Sequence, residues 1–373
     1  MGGVSAGEVP AGEVSADGKR LPGPTRTHVV THLPGDGVGP EVTEVAKACL
    51  DTVAGRHGFG IEGRRCDLGG KHYLATGEVL PDLVLAELRT SDAILLGAVG
   101  TPEVPPGVLE RGLLLRLRFE LDLYINLRPS KLRPGVGGAV GKHSLEDLDF
   151  VIVRENTEGR YAGAGGTVHR GSHFETATEE SLNTWAGVRR CVEYAAGLAA
   201  GRSGRLTLVH KTNVLTHAGD LWRRVAGEVA AEAGLPLEYA HVDAACLYLV
   251  DDPKRFDVIV TDNLFGDILS DLGAALTGGL GVAPSGNLNP DRTGPSVFEP
   301  VHGSAPDIAG TGRANPAGAV LSAALMLDHL GETGAAADLD AAVSTVLGAG
   351  APATTSGWED ALRDALDAKA GAR

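Results

Sequence analysis

Five short apolar runs, each followed at once by polar residues and a helical pattern, limit the folds that this chain can adopt. The runs are AILLG (93–97), DFVIV (149–153), LTLVH (206–210), LEYAHV (237–242) and FDVIV (256–260). Continuous apolar runs of this length are typical of strands that are buried on both faces of a parallel sheet. Their alternation with helices predicts an α/β fold.

Polar residues follow these strands where open α/β sheets bind their ligands, beyond the carboxyl ends of the strands. We therefore expect the residues at these ends to line one active cleft. They are Arg154, Glu155, Lys211, Asn213, Asp243 and Asn263.

The composition of the chain narrows its class. Its 373 residues and 43% hydrophobic content suffice for roughly two domains of about 150 residues each. A net charge of −15 argues against a general affinity for nucleic acid or anionic membranes. The four cysteines have neither disulfide nor metal-site spacing, and residues 1–27 contain no apolar run. We expect a cytoplasmic protein whose residues 1–27 form a disordered extension.

The stretch PGDGVGPEV (34–42) contains three glycines after a predicted strand. Its spacing is G-x-G-x-G followed by Pro40, whereas a dinucleotide fingerprint requires G-x-G-x-x-G. The spacing favours a tight strand-to-helix turn with Pro40 in the first helical turn.

Two aspartates four residues apart, Asp267 and Asp271, interrupt the otherwise apolar helical stretch FGDILSDLG (265–273). In a helix they share one face, beside a predicted apolar stripe of Leu264, Ile268, Leu272 and Leu276. Like charges at this spacing repel unless a cation lies between them, so the pair is a candidate metal site with Asp243 as a third carboxylate. Such oxygen ligands suit Mg²⁺ or Mn²⁺. The alternative is a helix face that pairs with arginines.

Three arginines, Arg118, Arg128 and Arg154, are candidates for binding a small polycarboxylate. Arg154 stands at a strand end, where a bidentate guanidinium suits a carboxylate. The alternative for each arginine is a solvated or structural charge. Lys211 and Tyr161 are candidates for proton transfer. Their alternatives are a structural ion pair and a packed ring with a satisfied hydroxyl.

The stretch 297–316 is punctuated by Gly and Pro and shows neither helical nor strand periodicity. A loop of this length is typical of a functional segment. Its backbone N–H groups at Gly303, Ser304 and Ala305 could cradle phosphates, and Asp307 could accept both hydroxyls of an adenosine ribose. A second Gly-rich stretch, 163–173, predicts a hairpin or clasp.

Taken in order, several motifs together resemble the β-decarboxylating dehydrogenases, a family that includes 3-isopropylmalate, isocitrate, homoisocitrate and tartrate dehydrogenases. The motifs are PGDGVGPEV (34–42), NLRPSK (126–131), RENTEG (154–159), HKTNVL (210–215), DNLFGDILSDL (262–272) and EPVHGSAPDIAGTGRANP (299–316). The resemblance covers about residues 28–365. It is closest to the 3-isopropylmalate dehydrogenase branch of actinobacterial type.

This resemblance implies an isopropylmalate/isocitrate dehydrogenase-like α/β fold of two domains with a shared mixed sheet and no Rossmann fingerprint. The first domain would be discontinuous, combine residues 28–123 with 279–373, and bind the cofactor. The second, residues 124–278, would carry the substrate and metal sites, the clasp and the dimer interface. The protein would be a homodimer with shared active sites.

The resemblance also implies roles for individual residues. The catalytic residues would be Lys211 of the partner subunit and Tyr161. The substrate, a 3-substituted malate, would contact Arg118, Arg128, Arg154, Leu114, Leu115, Asn213 and Val214. The cofactor NAD would contact Glu110, Glu299, His302, Gly303, Ser304, Ala305, Asp307, Ile308 and Asn315. Mg²⁺ or Mn²⁺ would bind Asp267 and Asp271, together with Asp243 of the partner subunit.

The implied reaction is the NAD-dependent oxidative decarboxylation of 3-isopropylmalate to 4-methyl-2-oxopentanoate, the leucine precursor. Leu114 and Leu115 favour an isopropyl group, whereas Asn156 is usual in the isocitrate, homoisocitrate and tartrate branches. A paralogue that acts on another 3-substituted malate is therefore an alternative. A non-catalytic regulatory subunit with the same fold is a further alternative, but such a chain need not keep the acid, base and metal ligands found here.

Overall fold

The computed structural model describes residues 26–137, 141 and 143–370. Residues 1–25 of the predicted N-terminal extension lie outside the described residues. Twelve strands occur in the described chain: β1 Thr27–Gly35, β2 Gly60–Arg65, β3 Ala93–Ala98, β4 Ile125–Lys131, β5 Asp149–Glu155, β6 Gly165–Val168, β7 Thr176–Glu179, β8 Leu206–His210, β9 Leu237–His241, β10 Val258–Thr261, β11 Pro284–Leu288 and β12 Ser296–Pro300.

The described chain also contains eleven α-helices. They are α1 Gly39–His57, α2 Gly70–Thr76, α3 Asp82–Leu88, α4 Arg116–Glu120, α5 Trp185–Ala200, α6 Thr216–Glu232, α7 Val242–Asp251, α8 Asn263–Leu276, α9 Ala317–Leu330, α10 Thr333–Ala349 and α11 Thr355–Ala370. Both the α/β class and all five strands predicted from apolar runs are confirmed. None of the described helices is long and apolar enough to cross a membrane.

Ten of the strands form one mixed sheet in the order β2-β1-β3-β12-β11-β4-β5-β10-β8-β9. Strands β5, β10, β8 and β9 are parallel to one another. Three successive antiparallel pairings then join β5 to β4, β4 to β11 and β11 to β12. Because β3 is parallel to β12, it runs opposite to β5. The prediction that all five strand ends share one cleft is therefore wrong for β3, whose carboxyl end lies at the other edge.

The sheet is continuous across the proposed domain boundary, since β11 and β4 pair directly through Leu288 and Ile125. The division into two domains at residues 123 and 279 stays a prediction. Large side chains are buried on both sides of it: Trp222 of α6 is 0% exposed and Trp358 of α11 is 1% exposed.

The glycine turn after β1 is a structural feature, as its spacing predicted. Gly35 has φ +71° and Gly37 has φ +56°, and a Cβ atom at either would lie 1.9 Å from a backbone oxygen, that of Ala98 or Ser304. Both requirements are met only by glycine. The buried Asp36 carboxylate accepts hydrogen bonds from the N–H groups of Gly70 and Gly100. The N–H of Val38 donates to the Ser304 carbonyl at 2.8 Å, and the turn thereby fixes the loop that contains Ser304.

Part of the long loop predicted over 297–316 is in fact a strand, β12, which pairs with β3 and β11. The irregular segment therefore begins at Val301. The sequence SVFEP shows no alternation because β12 is an interior strand, with Val297 and Phe298 both buried. The Gly-rich stretch 163–173 does lead into a hairpin, formed by β6 and β7.

Helix α8 lies on β4 and β5 through its small residues. A Cβ atom at Gly266 would lie 2.6 Å from Cβ of Arg154, and one at Gly273 would lie 2.5 Å from Oγ of Ser130. The helix therefore approaches the strands along a face of Gly266, Leu269, Ser270, Gly273 and Ala274. The apolar stripe of Leu264, Ile268, Leu272 and Leu276 is a different face of the helix, since Ile268 is 52% exposed.

Asp262 begins α8, because its Oδ1 accepts a hydrogen bond from the N–H of Phe265 at 2.8 Å. Burial raises the pKa of this carboxyl group from 3.8 to about 6. The folded chain therefore binds more protons than the unfolded chain between these two values. The contribution of Asp262 to the free energy of unfolding therefore falls as the pH rises from 3.8 to about 6.

We predict that Asp262→Asn, which keeps a capping oxygen, removes this pH dependence. The free energy of unfolding of the variant, relative to wild type, should increase as the pH rises toward about 7. Urea unfolding of both proteins across this range measures the difference. A constant difference across the range would show that Asp262 is not the titrating group.

Candidate active site

Three arginine side chains converge from α4, β4 and β5, as the sequence predicts. Arg154 is 1% exposed and Arg128 is 8% exposed. Nε of Arg128 donates to Oδ1 of Asn126 at 2.6 Å. Arg118 makes neither a hydrogen bond nor an ion pair through its side chain with any residue in the described ranges. The cluster thus joins three elements that are separated in sequence.

The positive charge of this cluster is only partly neutralised. Burial lowers the pKa of Arg118 and that of Arg128 to about 10, and repulsion from the Arg154 guanidinium contributes to both shifts. Glu299 and Asp267 act in the opposite direction. Three buried or half-buried cations near so few carboxylates form a site suited to an anion with more than one carboxylate.

Asp267 connects the arginine cluster to Tyr161. One carboxylate oxygen pairs with Arg154, and the other accepts a hydrogen bond from the Tyr161 hydroxyl at 2.6 Å. Burial alone would raise the pKa of Asp267, but Arg154 and the Tyr161 hydroxyl hold it below its usual value. The Arg154 guanidinium also lies 5.0 Å from the centroid of the Tyr161 ring.

Asp271, one turn further along α8, is the less stable anion of the pair. Burial raises its pKa, and the neighbouring Asp267 charge raises it further. This is the repulsion expected from the i, i+4 spacing. The two oxygen donors fit a hard divalent cation. The described residues contain no group of three or more His, Cys, Asp or Glu side chains placed to hold a metal, so this chain by itself offers the pair alone.

Lys211 and Asp243 form a separate ion pair at the carboxyl ends of β8 and β9. Nζ of Lys211 donates to Oδ1 of Asp243 at 2.7 Å, and this interaction helps to lower the pKa of Asp243. No hydrogen bond or ion pair of the described chain joins this pair to the Arg154–Asp267 cluster. Asn213 and Val214 are exposed beside Lys211.

A cleft of about 790 Å³ lies next to Tyr161. Its lining includes Glu110 and Leu115 on one side and Tyr161 and Leu264 on the other. Leu114 instead packs against an apolar core cluster and borders a small void beside Arg118 and Glu299. Of the two leucines predicted to contact the substrate, Leu115 is thus the one that lines the open cleft.

The segment Glu110–Leu115 is a π-helix that continues into α4. A π-turn places residues i and i+5 above each other, and such turns are frequent at functional sites. Glu110 and Leu115 have this spacing, which accounts for their presence on the same wall of the cleft. Apolar periodicity could not reveal this, because it indicates an ordinary helix.

The loop after β12 carries most of the predicted cofactor residues. It is fixed at Ser304, whose carbonyl oxygen accepts from the N–H of Val38 at 2.8 Å, and Ala305 has φ +40°. Nε2 of His302 is buried without a hydrogen-bond partner in the described chain. Asp307 is exposed and makes no ion pair with a described residue. An unsatisfied buried nitrogen and a free carboxylate suit a polar ligand with hydroxyl groups.

Of the other predicted cofactor residues, Gly303, Ile308 and Asn315 lie in this loop and Glu299 lies on β12. Gly303 has open space where a side chain would be, and Ile308 closes a turn by donating its N–H to the Ala305 carbonyl at 3.1 Å. Oδ1 of Asn315 accepts from the N–H of Ala317 at 2.9 Å. Glu299 accepts from Nδ2 of Asn287 at 2.8 Å.

Asn263 was expected in the cleft, but its function as a partner of Arg154 was missed. Its Oδ1 accepts from Nε and Nη2 of Arg154 at 2.9 and 2.8 Å. Asn126 and Asn287 were missed altogether. They bond to each other at 2.9 Å and form a buried chain of amides from Arg128 to Glu299. The only signal in the sequence was that each of these asparagines stands inside a strand, where asparagine is disfavoured.

Two other residues at the end of β5 are structural. Glu155, which was expected in the cleft, is 2% exposed, and its carboxylate accepts from the N–H groups of Thr157 and Glu158. Asn156 is 0% exposed and donates to the Leu123 carbonyl at 2.8 Å. Neither lines the 790 Å³ cleft.

Comparisons with known proteins identify the family of this chain. Residues 29–357 match the model of the isocitrate/isopropylmalate dehydrogenase family. The chain is 56% identical to 3-isopropylmalate dehydrogenase from Thermobifida fusca over 86% of this chain and 91% of that protein. It is 57% identical to the enzyme of the same name from Nocardia farcinica over 85% of this chain and 93% of that protein.

Solved structures show the same architecture. The crystal structure of isocitrate dehydrogenase from Methylococcus capsulatus has a TM-score of 0.81 at 34% identity and covers 91% of this chain and 99% of its own. A β-decarboxylating dehydrogenase from Thermococcus kodakarensis has a TM-score of 0.74 at 38% identity and covers 91% and 96%. The family match and these identities show that the chain belongs to the isocitrate/isopropylmalate dehydrogenase family.

Proposed function

We propose that this chain catalyses the NAD-dependent oxidative decarboxylation of 3-isopropylmalate to 4-methyl-2-oxopentanoate, a step of leucine biosynthesis. The observation that carries the proposal is the cluster of three under-neutralised arginines beside a cleft whose wall includes leucines. A substrate with two carboxylates and one branched alkyl group matches both features. The names of the 56–57% identical relatives support it.

In this proposal Arg118, Arg128 and Arg154 hold the two carboxylates of the substrate. Arg118 has no described side-chain partner to lose, so it is free to bind a ligand. Arg154 is held in place by Asn263. Leu115 borders the cleft and would contact the isopropyl group, where a third carboxylate would be costly to bury without a partner.

Mg²⁺ or Mn²⁺ would be held by Asp267 and Asp271, with Asp243 of the partner subunit as a further ligand. The carboxylate oxygens and the repulsion that raises the pKa of Asp271 support a cation at this place. When bound, the metal supplies electrophilic stabilisation of the substrate's 2-oxygen, and NAD supplies the hydride acceptor.

NAD would lie along the loop that contains His302, Gly303 and Asp307. The free carboxylate of Asp307 would accept the ribose hydroxyls and would repel a 2′-phosphate, which favours NAD over NADP. The fixed position of Ser304 against the glycine turn supports a preformed site. Glu110, on the cleft wall with Leu115, would lie between cofactor and substrate.

The chain's own proton-transfer groups are Lys211 and Tyr161. Lys211 of the partner subunit would accept the proton of the 2-hydroxyl group when the substrate is oxidised. After CO₂ has left, Tyr161 would donate a proton to the enol carbon. Burial and the hydrogen bond to Asp267 raise the pKa of Tyr161. Both effects keep the phenol protonated until it acts as the acid.

A homodimer with shared sites explains why the Lys211–Asp243 pair is separate from the arginine cluster. Apolar side chains are exposed on the elements that carry the site groups: Val214 beside Lys211 is 64% exposed, Leu247 of α7 is 70% exposed and Ile268 of α8 is 52% exposed. Burying these side chains against a second copy would bring Lys211 and Asp243 of one chain to α8 of the other.

The alternative of another 3-substituted malate rests on Asn156. Its side chain is buried and bonded to Leu123 and Asn287, so it offers the substrate no contact and its identity is explained by packing. A non-catalytic regulatory subunit need not keep its catalytic groups. The described chain instead keeps Tyr161 bonded to Asp267 and Lys211 bonded to Asp243.

We predict that the purified chain reduces NAD in the presence of Mg²⁺ and 3-isopropylmalate. kcat/KM should exceed that for isocitrate by at least roughly a hundredfold, because a carboxylate against leucine has no partner. Absorbance of NADH at matched substrate concentrations measures both rates. A higher kcat/KM with isocitrate, homoisocitrate or tartrate would overturn the proposed substrate, and no rate with any of them would favour the regulatory subunit.

We further predict that two inactive variants restore each other. Lys211→Ala and Asp271→Ala homodimers each lack a base or a metal ligand in every site, so both should be nearly inactive. In a heterodimer one site combines Asp271 of the first chain with Lys211 of the second and is intact. Co-expression with two affinity tags should therefore recover up to about one working site per heterodimer.

The control for this experiment is a heterodimer of Lys211→Ala with Lys211→Ala carrying the second tag, which has no intact site. Tagged heterodimers of the two different variants that stay as inactive as this control would show that Lys211 and Asp271 act within one chain.

A further inference from the structure

The phenol of Tyr239 occupies a position that no role assigned above explains. It stands on the edge strand β9, in register with Leu208 of β8, and is 37% exposed. Its hydroxyl accepts from the N–H of Thr212 at 3.2 Å and donates to the carbonyl oxygen of His210 at 3.2 Å. These are the two residues on either side of Lys211.

The same hydroxyl group also contacts His241, which stands two residues before Asp243, the other member of the ion pair. It lies 2.9 Å from Nδ1 of His241, and the two rings meet edge to face with centroids 5.1 Å apart. His241 is the N-cap residue of α7, whose first turn carries Asp243. Thr212 Oγ1 is a fourth neighbour at 2.9 Å. A phenol has one proton and two lone pairs, so it makes at most three hydrogen bonds at a time, and these four neighbours more than fill its bonding capacity.

We propose that Tyr239 is a positioning residue that fixes Lys211 and Asp243 relative to each other, so that one subunit delivers both to the partner's active site as a unit. This inference rests on the proposed function, in which Lys211 is the base and Asp243 a metal ligand. One hydroxyl group lies within hydrogen-bond distance of both neighbours of Lys211 and of His241, the N-cap residue of the helix whose first turn carries Asp243. Side chains that orient a ligand or base are typically worth about 10- to 100-fold in metal affinity or activity.

The test is Tyr239→Phe in the full-length chain, since this change keeps the ring contact with His241 and removes only the hydroxyl. Tyr248→Phe is the matched control. Tyr248 is also 37% exposed, stands on the adjacent α7 and packs its ring against Arg255 at 4.0 Å. Its hydroxyl makes no hydrogen bond with a described residue. The measurements are kcat, KM, Mn²⁺ affinity by calorimetry, and Tm.

For Tyr239→Phe we expect kcat to fall at least about tenfold and the Kd for Mn²⁺ to rise about tenfold. KM for 3-isopropylmalate should change by less than about twofold, because the arginines that bind it stand on other elements. Tm should match that of Tyr248→Phe. If Tyr239→Phe does not fold, Thr212→Val removes one of the four contacts and should change kcat and Kd in the same directions.

The proposal is wrong if kcat and Mn²⁺ affinity of Tyr239→Phe equal those of Tyr248→Phe. It is also wrong if every parameter falls only in proportion to the folded fraction. Failure of the proposed function has a different signature, since wild type would then produce no NADH from 3-isopropylmalate. The calorimetric Mn²⁺ affinities of the two variants would still test the positioning role in that case.

Discussion

The mutual repulsion of Arg118, Arg128 and Arg154 is the constraint around which this site is built. Burial and repulsion lower the pKa of Arg118 and of Arg128 to about 10, which means that the folded chain holds these charges at a cost to its stability. Asp267 relieves part of this repulsion by pairing with Arg154. The rest stays unneutralised, and in the proposed function the same charges that destabilise the folded chain give the site affinity for a dicarboxylate.

The fold places these charges through close backbone contacts and buried amides. Gly266 and Gly273 let α8 approach β4 and β5, where any side chain would collide with Arg154 or Ser130. Asn126 and Asn287 then connect Arg128 to Glu299 across the sheet through hydrogen bonds of 2.6 to 2.9 Å. A buried charge held by satisfied amides keeps its position without being neutralised. The same buried amides therefore hold the arginine side chain in place and leave its charge unneutralised.

Local sequence patterns predicted the features that depend on neighbouring residues. Apolar runs identified the strands β3, β5, β8, β9 and β10, and the glycine spacing identified the turn before Pro40. Features that depend on distant residues were missed or misjudged. The direction of β3 is set by three antiparallel pairings, and β12 lacks alternation because both of its faces are buried. Ile268 lies on the apolar stripe of the helical pattern and is nevertheless 52% exposed, because periodicity cannot distinguish a surface that faces the sheet from one left exposed.

Thermal unfolding of Arg118→Met, with and without 3-isopropylmalate and Mg²⁺, measures whether the arginine cluster holds its charge for the substrate. Methionine keeps the length and helix propensity of arginine and removes its charge. We expect the Tm of the variant without ligand to equal that of wild type or to exceed it by roughly 1–2 °C. The increase in Tm caused by the ligand should be largely lost. A lower Tm without ligand, together with an undiminished ligand effect, would contradict the claim that the cluster holds its charge for the substrate.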